Sequence, residues 1–150
     1  MANKRVLGGV CMSINVEFES NLNEIQEEFK KRKKLITYAW GLKWQKLSVN
    51  LITRNGIVDT GRLRASLTFI TVDKVGKPIR KSNKSKPEDF LGGSSGEDET
   101  LVVGSNVPYA KKNEMFNPKG AFILPAITNY RKSYENITKA IMESPSANVE

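Results

Sequence analysis

The side chains of this chain that could do chemistry are few, and they do not assemble into a catalytic set. The 150 residues contain no histidine. That removes the usual general base at neutral pH, the Ser-His-Asp and Cys-His nucleophile systems, and most zinc sites. Cys11 stands alone, so no intrachain disulfide can form, and reducing surroundings fit the chain. A lone Cys11 reads as a small buried hydrophobe before it reads as a nucleophile. Gly92-Gly93-Ser94-Ser95-Gly96 matches the Gly-x-Ser-x-Gly pattern. A nucleophile elbow needs a strand before it, a helix after it and a histidine elsewhere, so these residues read as a flexible linker. Carboxylates are scattered without the spacing of an acid/base pair. Glu97-Asp98-Glu99 lacks the alternating ligands of a calcium loop. No phosphate-cradling glycine pattern sits in a strand–turn–helix context. No catalytic, cofactor or metal residue is assigned, and no enzyme activity is expected.

Basic side chains are the abundant reactive feature. Lys and Arg number 24 against 16 Asp and Glu, for a formal net charge of +8. Such a field raises encounter rates with DNA or with acidic protein surfaces. Two runs stand out as candidate partner or DNA contacts. The first is Lys30, Lys31, Arg32, Lys33 and Lys34. Successive helical residues lie about 100° apart, so this run covers every face of a helix instead of one phosphate-reading row. Some stems must snorkel beside apolar neighbours. A solvated face, a contact with acids such as residues 97–99 on the same or a neighbouring subunit, and DNA contact all remain open. The second run is Lys77, Arg80, Lys81, Lys84 and Lys86, with Lys74 just before it. Its readings are DNA phosphates, an acidic docking surface or a solvated loop. Trp40 and Trp44, four apart, read as core or interface anchors, since no aromatic series accompanies them on a basic strand.

These residues need a scaffold, and the apolar pattern supplies one. The chain, 39% apolar and 27% charged, has the size and composition of one soluble globular domain over residues 1–150. No run approaches the roughly 18 apolar residues of a membrane span. Lys4 and Arg5 are followed by no long apolar region, so no secretory signal is read. Residues 1–9 are expected to be flexible, with Gly8-Gly9 as a break. Met12, Ile14, Val16 and Phe18 alternate with polar residues, which predicts a strand. From 21 to 54 the period becomes helical, with Leu22, Ile25, Phe29, Ile36, Trp40, Leu47 and Leu51 on one stripe of roughly nine turns. Gly41 is a weak point that could mark a bend, and Asn55-Gly56 ends the helix in the left-handed way. A helix this long is expected to outrun its own core and pack part of its stripe on a neighbouring subunit.

Asp59 is then placed to cap a short helical turn, and Gly61 to let that turn approach its neighbour. Residues 66–72 and 101–105 predict two strands paired antiparallel. Between them, residues 74–100 read as an extended hairpin arm or a loop ordered only against a partner. Pro108 to Glu114 predicts a short helix, and Asn117-Pro118-Lys119-Gly120 a turn. Phe122 and Ile123 read as extended. Pro125 opens a last helix with Ala126, Ile127, Tyr130, Tyr134, Ile137 and Ile141 on its stripe. Residues 143–150 read as a flexible tail. The fold class is α+β: a long N-terminal helix and a C-terminal helix packed on a small antiparallel sheet, with a long charged loop or arm.

Three stretches, in order, carry a family likeness: Val58-Asp59-Thr60-Gly61-Arg62-Leu63-Arg64-Ala65-Ser66, then Val103-Gly104-Ser105-Asn106-Val107-Pro108-Tyr109-Ala110 with Glu114 following, then Phe122-Ile123-Leu124-Pro125-Ala126. This set resembles the siphophage head–tail joining family of neck and tail-completion proteins, over about residues 12–142. The family commonly continues aromatic-Gly after the glutamate, whereas here Met115, Phe116 and Asn117 follow. The resemblance implies a structural subunit of a ring, a hexamer or dodecamer, at the head–tail junction of the virion, assembled in the host cytoplasm. It implies contacts with itself, with a head-side connector or stopper and with a tail terminator or tail tube protein. Double-stranded DNA would pass through the lumen, with no membrane involved. The motif residues so marked are Asp59, Thr60, Gly61, Arg62, Leu63, Gly104, Tyr109, Ala110, Glu114, Phe122, Pro125 and Ala126. The competing readings are a basic DNA-binding accessory protein, on the net charge, and a metal-dependent nuclease, which would need converging carboxylates.

Overall fold

The structure, a computed structural model, describes residues 3–57, 61–97, 99–117 and 119–145, the side chains of 3–21 excepted. One long helix, α1 (Asn3–Arg54), dominates it. There follow α2 (Arg62–Ser66), β1 (Thr68–Ile70), a 3₁₀ turn (Pro87–Asp89), β2 (Val102–Gly104), α3 (Ala110–Phe116), α4 (Ile123–Thr128) and α5 (Arg131–Glu143). The class is mixed helix and sheet, as the pattern predicts.

Two expectations about the N-terminal region are corrected. Residues 3–9 are helical, and residues 12–18 lie inside α1 instead of forming a strand. Met12 and Val16, like Ile14 and Phe18, are four apart, so a period of two also satisfies the i, i+4 spacing of a helix. Extending an existing helix adds a bond for each residue fixed, whereas a new strand needs a partner. The end of α1 is as expected. Gly56 sits at φ 67. Its N–H donates to the Thr53 carbonyl at 3.3 Å, and Ile57 N–H donates to Ile52 at 3.2 Å. This is the paired closure of a Schellman motif, with Ile57 packed on the core that holds Ile52. The Asp59 cap lies outside the described residues. Gly61, at φ 71, leads into α2.

β1 and β2 pair antiparallel, Thr68 opposite Gly104 and Ile70 opposite Val102. β1 is shorter than the pattern suggests, because Ser66 closes α2. Two strands are marginal alone; here they lie on α1. Phe69 explains how. Its fully buried ring fills the space between Gly41 of α1 and Gly76, where an added Cβ would stand 2.2 Å and 2.1 Å from ring atoms. α1 therefore runs unbroken through Gly41, whose role is close approach and not a bend. Gln45, fully buried on the same helix, donates to the Leu67 carbonyl at 2.6 Å and to Lys77 at 2.9 Å, fixing both flanks of β1.

The single last helix is in fact two. α4 ends at Thr128, and α5 starts at Arg131. The Tyr134 hydroxyl returns across the break and donates to the Ala126 carbonyl at 2.9 Å. Ile123, expected to be extended, is the first residue of α4, and Pro108 precedes α3 instead of opening it. Both helices α4 and α5 pack on α1, around a core of Trp44, Ile52, Leu63, Leu67, Phe122 and Ala126.

The described residues of 74–100, read as an arm or a partner-ordered loop, are hydrogen-bonded to β1 and its flank near both ends of the segment. Thr71 N–H donates to Lys74 at 2.8 Å, Leu91 N–H to the Thr68 hydroxyl at 3.0 Å, and the Ser94 hydroxyl to Val72 at 2.9 Å. The loop is thus stitched to the strand it leaves. Satisfying backbone polar groups next to a short sheet is the reason it returns.

Candidate functional site

The motif residues converge on one joint beneath α1. Arg62 donates from Nε to Asp89 at 2.7 Å and from Nη2 at 2.6 Å, a bidentate fork. Asp89 is 1% exposed and also accepts the Lys86 N–H at 2.9 Å. The Arg62 guanidinium holds the Asp89 carboxyl below the usual carboxylate range, against the opposing effect of burial. The same pairing raises Arg62 further above its ordinary value. The Asp89 carbonyl accepts Asn106 N–H at 3.0 Å, and the Asn106 side chain donates to Phe90 at 3.0 Å. Ser66 and Ser105 hydroxyls share a 2.6 Å bond, and Ser105 accepts Val107 N–H at 3.1 Å. The first two sequence stretches are therefore one structural unit, with Asp89 as the link between them. Sequence reading missed Asp89; a proline-led turn, Pro87-Glu88-Asp89, inside an otherwise basic loop was its only signal.

The third stretch is tied in by Glu114. Its carboxylate accepts N–H groups of Phe122 at 2.8 Å, Ile123 at 2.9 Å and Leu124 at 2.9 Å. These are donors that the first turn of α4 cannot satisfy itself. Ser48 of α1 donates to the Phe122 carbonyl at 3.3 Å. Leu63, Ala110, Phe122 and Ala126 are buried in the core, whereas Tyr109 is exposed. Gly104 sits in β2, Pro125 inside α4, and Asp59 and Thr60 lie outside the described residues.

The two basic runs differ sharply. The helical run is largely consumed by the protein itself. Lys30 pairs with Glu27 at 3.1 Å, Lys34 with Asp73 at 3.0 Å, and Lys33 with Glu99, one of the acids named from the sequence. Arg32 pairs with Glu28 at 2.9 Å and also donates to the Ile141, Met142 and Ser144 carbonyls at 2.7–2.8 Å. It caps the C-terminal end of α5, where a cation also suits the helix dipole. Lys31 alone of the five has no ion pair among the described residues. In the loop, Lys77, Arg80, Lys81 and Lys84 are exposed and make no ion pair among the described residues. Lys86 approaches Glu88 only at 3.9 Å. Lys77, Arg80, Lys81 and Lys86 of this run line a concavity of about 810 Å³.

Apolar surface is uncovered at several places among the described residues, Met115 and Phe116 of α3 and Leu124 of α4 included, and two of them lie along α1. On α1, Leu22, Ile25 and Phe29 are 42%, 65% and 46% exposed, at one-stripe spacing. Near the other end a groove of about 420 Å³ is lined by Trp40, Trp44, Leu101, Val103, Ile127 and Tyr134. Trp40 Nε1 donates to the Tyr134 carbonyl and to Thr138 Oγ1, each at 3.2 Å, and its ring meets Tyr134 edge-on. Among the described residues no three acidic, Cys or His side chains group to hold a metal, and no helix is long and apolar enough to cross a membrane. No family model, curated protein or solved structure matches the chain.

Proposed function

We propose that the chain is a structural subunit of a phage head–tail junction that assembles with copies of itself into a ring around the DNA channel. The observation that carries this reading is the uncovered apolar stripe Leu22–Ile25–Phe29 on a helix that outruns its own core. At 1.5 Å per residue, 52 residues span about 78 Å, far beyond the roughly 30 Å of a small domain. An apolar stripe left in water on such a helix is favourable ground for a neighbour. Contacts between unlike surfaces of identical subunits close into rings when their rotation closes.

The motif joint supports the same reading. Among its described residues the hydrogen bonds and the buried ion pair tie Arg62, Ser66, Ser105 and Glu114 to neighbouring chain, which supports a scaffold role for them. The connector, stopper, tail terminator and tail tube remain the partners proposed on either side of the ring. The test is gold-labelled antibody against the chain on intact virions of the phage that encodes it. Label at the neck supports the proposal; label elsewhere on the particle, or virions without the chain, removes it.

A further inference from the structure

We propose that the loop spanning Lys77 to Lys86 is a binding site for the phosphate backbone of double-stranded nucleic acid. The inference does not depend on the neck reading and would hold for any assembly the chain enters.

The first support is electrostatic contrast within one molecule. Sequence offers two basic runs, the helical one already spread over every face, and the fold separates them further. In the helical run Lys30, Arg32, Lys33 and Lys34 are paired with Glu27, Glu28, Glu99 and Asp73, Arg32 also with the C-terminal carbonyls of α5, and Lys31 alone has no ion pair among the described residues. The loop cations Lys77, Arg80, Lys81 and Lys84 have no acidic partner among the described residues. All four face solvent, and Lys77, Arg80 and Lys81 line a shared concavity of about 810 Å³ with Lys86.

The second support is anchoring. A flexible basic loop would have to be ordered by its ligand, but this one is held at both ends. Gln45, buried in α1, grips the Lys77 carbonyl at 2.9 Å. Asp89, locked by Arg62, grips the Lys86 N–H at 2.9 Å. Between them Ser85 N–H bonds the Ser82 carbonyl at 3.2 Å, closing a turn. Pro78 and Pro87 stiffen the two flanks. The cations are therefore presented at a fixed place on the body of the protein, which lowers the ordering cost of binding.

The ligand class follows from how such charges gain free energy. Exposed lysine–carboxylate pairs across a protein interface contribute little each, because water and salt screen them. A duplex carries a dense row of phosphates with condensed counterions, and every phosphate neutralised releases ions to solution. Four exposed cations with no ion pair among the described residues suit the second situation. Single-stranded nucleic acid is disfavoured because its binders stack successive bases on aromatic rings, and Phe90 is the one aromatic at this concavity.

The experiment is fluorescence anisotropy with a labelled duplex over a salt series, using the full chain. One variant carries K77Q, R80Q, K81Q and K84Q. A control carries K111Q, K112Q, K119Q and K132Q, all exposed elsewhere. Each variant lowers the formal net charge of +8 by four. The loop variant is expected to lose about 3 to 4 from the slope of log affinity against log salt, and the control to keep most of the wild-type slope. Circular dichroism matching wild type confirms that both variants fold. Equal losses in the two variants would show attraction by net charge alone and overturn the site. Absence of wild-type binding at about 50 mM salt would overturn it as well. Tighter binding of polyglutamate or of a single strand than of duplex would assign the loop to another ligand and sink the proposal.

Discussion

Arg62 and Asp89 show what a single charged pair does when it joins two stretches of chain. Asp89 is buried, so its charge is tolerated only because the guanidinium fork and the Lys86 N–H receive it. The native carboxyl therefore titrates below its unfolded value. A group lowered in this way contributes stability above the unfolded carboxylate range of about pH 4, and that contribution is lost as pH falls through the native value. R62Q should unfold at lower urea than wild type at pH 7, and the gap should close as pH drops below about 4. A gap that stayed constant from neutral to strongly acidic pH would show that the pair does not govern Asp89 protonation. Tyr134 gives the opposite dependence. Burial pushes its hydroxyl from 10.0 up to about 12. The unfolded chain then deprotonates first, so stability is intact below pH 10 and declines as pH rises from 10 towards 12. Y134F also removes the bond to Ala126. It should cost about 0.5–1.5 kcal/mol at pH 7 and flatten the alkaline decline, read by denaturant unfolding on both sides of pH 10.

At the scale of elements, the joint between α1 and the sheet rests on two glycines and one ring. Alanine at a helical glycine ordinarily gains up to about 1 kcal/mol from propensity. At Gly41 the added methyl would meet the Phe69 ring at 2.2 Å, and the ring cannot retreat because Gly76 backs it on the other side. Overpacking of this kind typically costs about 1–3 kcal/mol, so G41A should be net destabilising. In a double-mutant cycle F69A should relieve the penalty, and independent, additive effects would refute the sandwich. The sequence shows Gly41 as a helix weak point because propensity is local, whereas Phe69 lies 28 positions away and reaches Gly41 only after the strand docks. The α4–α5 break has the same character. One stripe from Ala126 to Ile141 fits a continuous helix, yet the Tyr134 hydroxyl is satisfied only by folding back on Ala126. By contrast the two strands, shorter than 66–72 and 101–105 but antiparallel as expected, and the Asn55-Gly56 stop were legible, since alternation and turn chemistry are read within a few residues.

For the whole molecule, the decisive property is an imbalance between helix length and core size. The globular body covers α1 from about Lys31 onward, where α5 ends against Arg32. Beyond it Leu22, Ile25 and Phe29 stay exposed. If this stripe joins copies of the chain, I25E and F29E together should shift the sedimentation of the purified protein from assembly to monomer. Thermal unfolding of the monomeric body should change little, because these residues lie outside its core. A wild-type protein that is monomeric at high concentration, or an assembly indifferent to the double variant, would exclude this stripe as the contact.

By itself the sequence determined that no histidine-based chemistry is available, that the class is α+β with a dominant first helix, and that the surface is strongly basic. Those are consequences of composition and short-range period. Only the tertiary structure decided which charges are spent and which are free. Lys30, Arg32, Lys33 and Lys34 are absorbed by acids and carbonyls, while Lys77, Arg80, Lys81 and Lys84 make no ion pair among the described residues. A charge's worth depends on what stands within a few ångströms of it, and Glu99, Asp73 and the end of α5 come that close to the helical run only when the chain has folded.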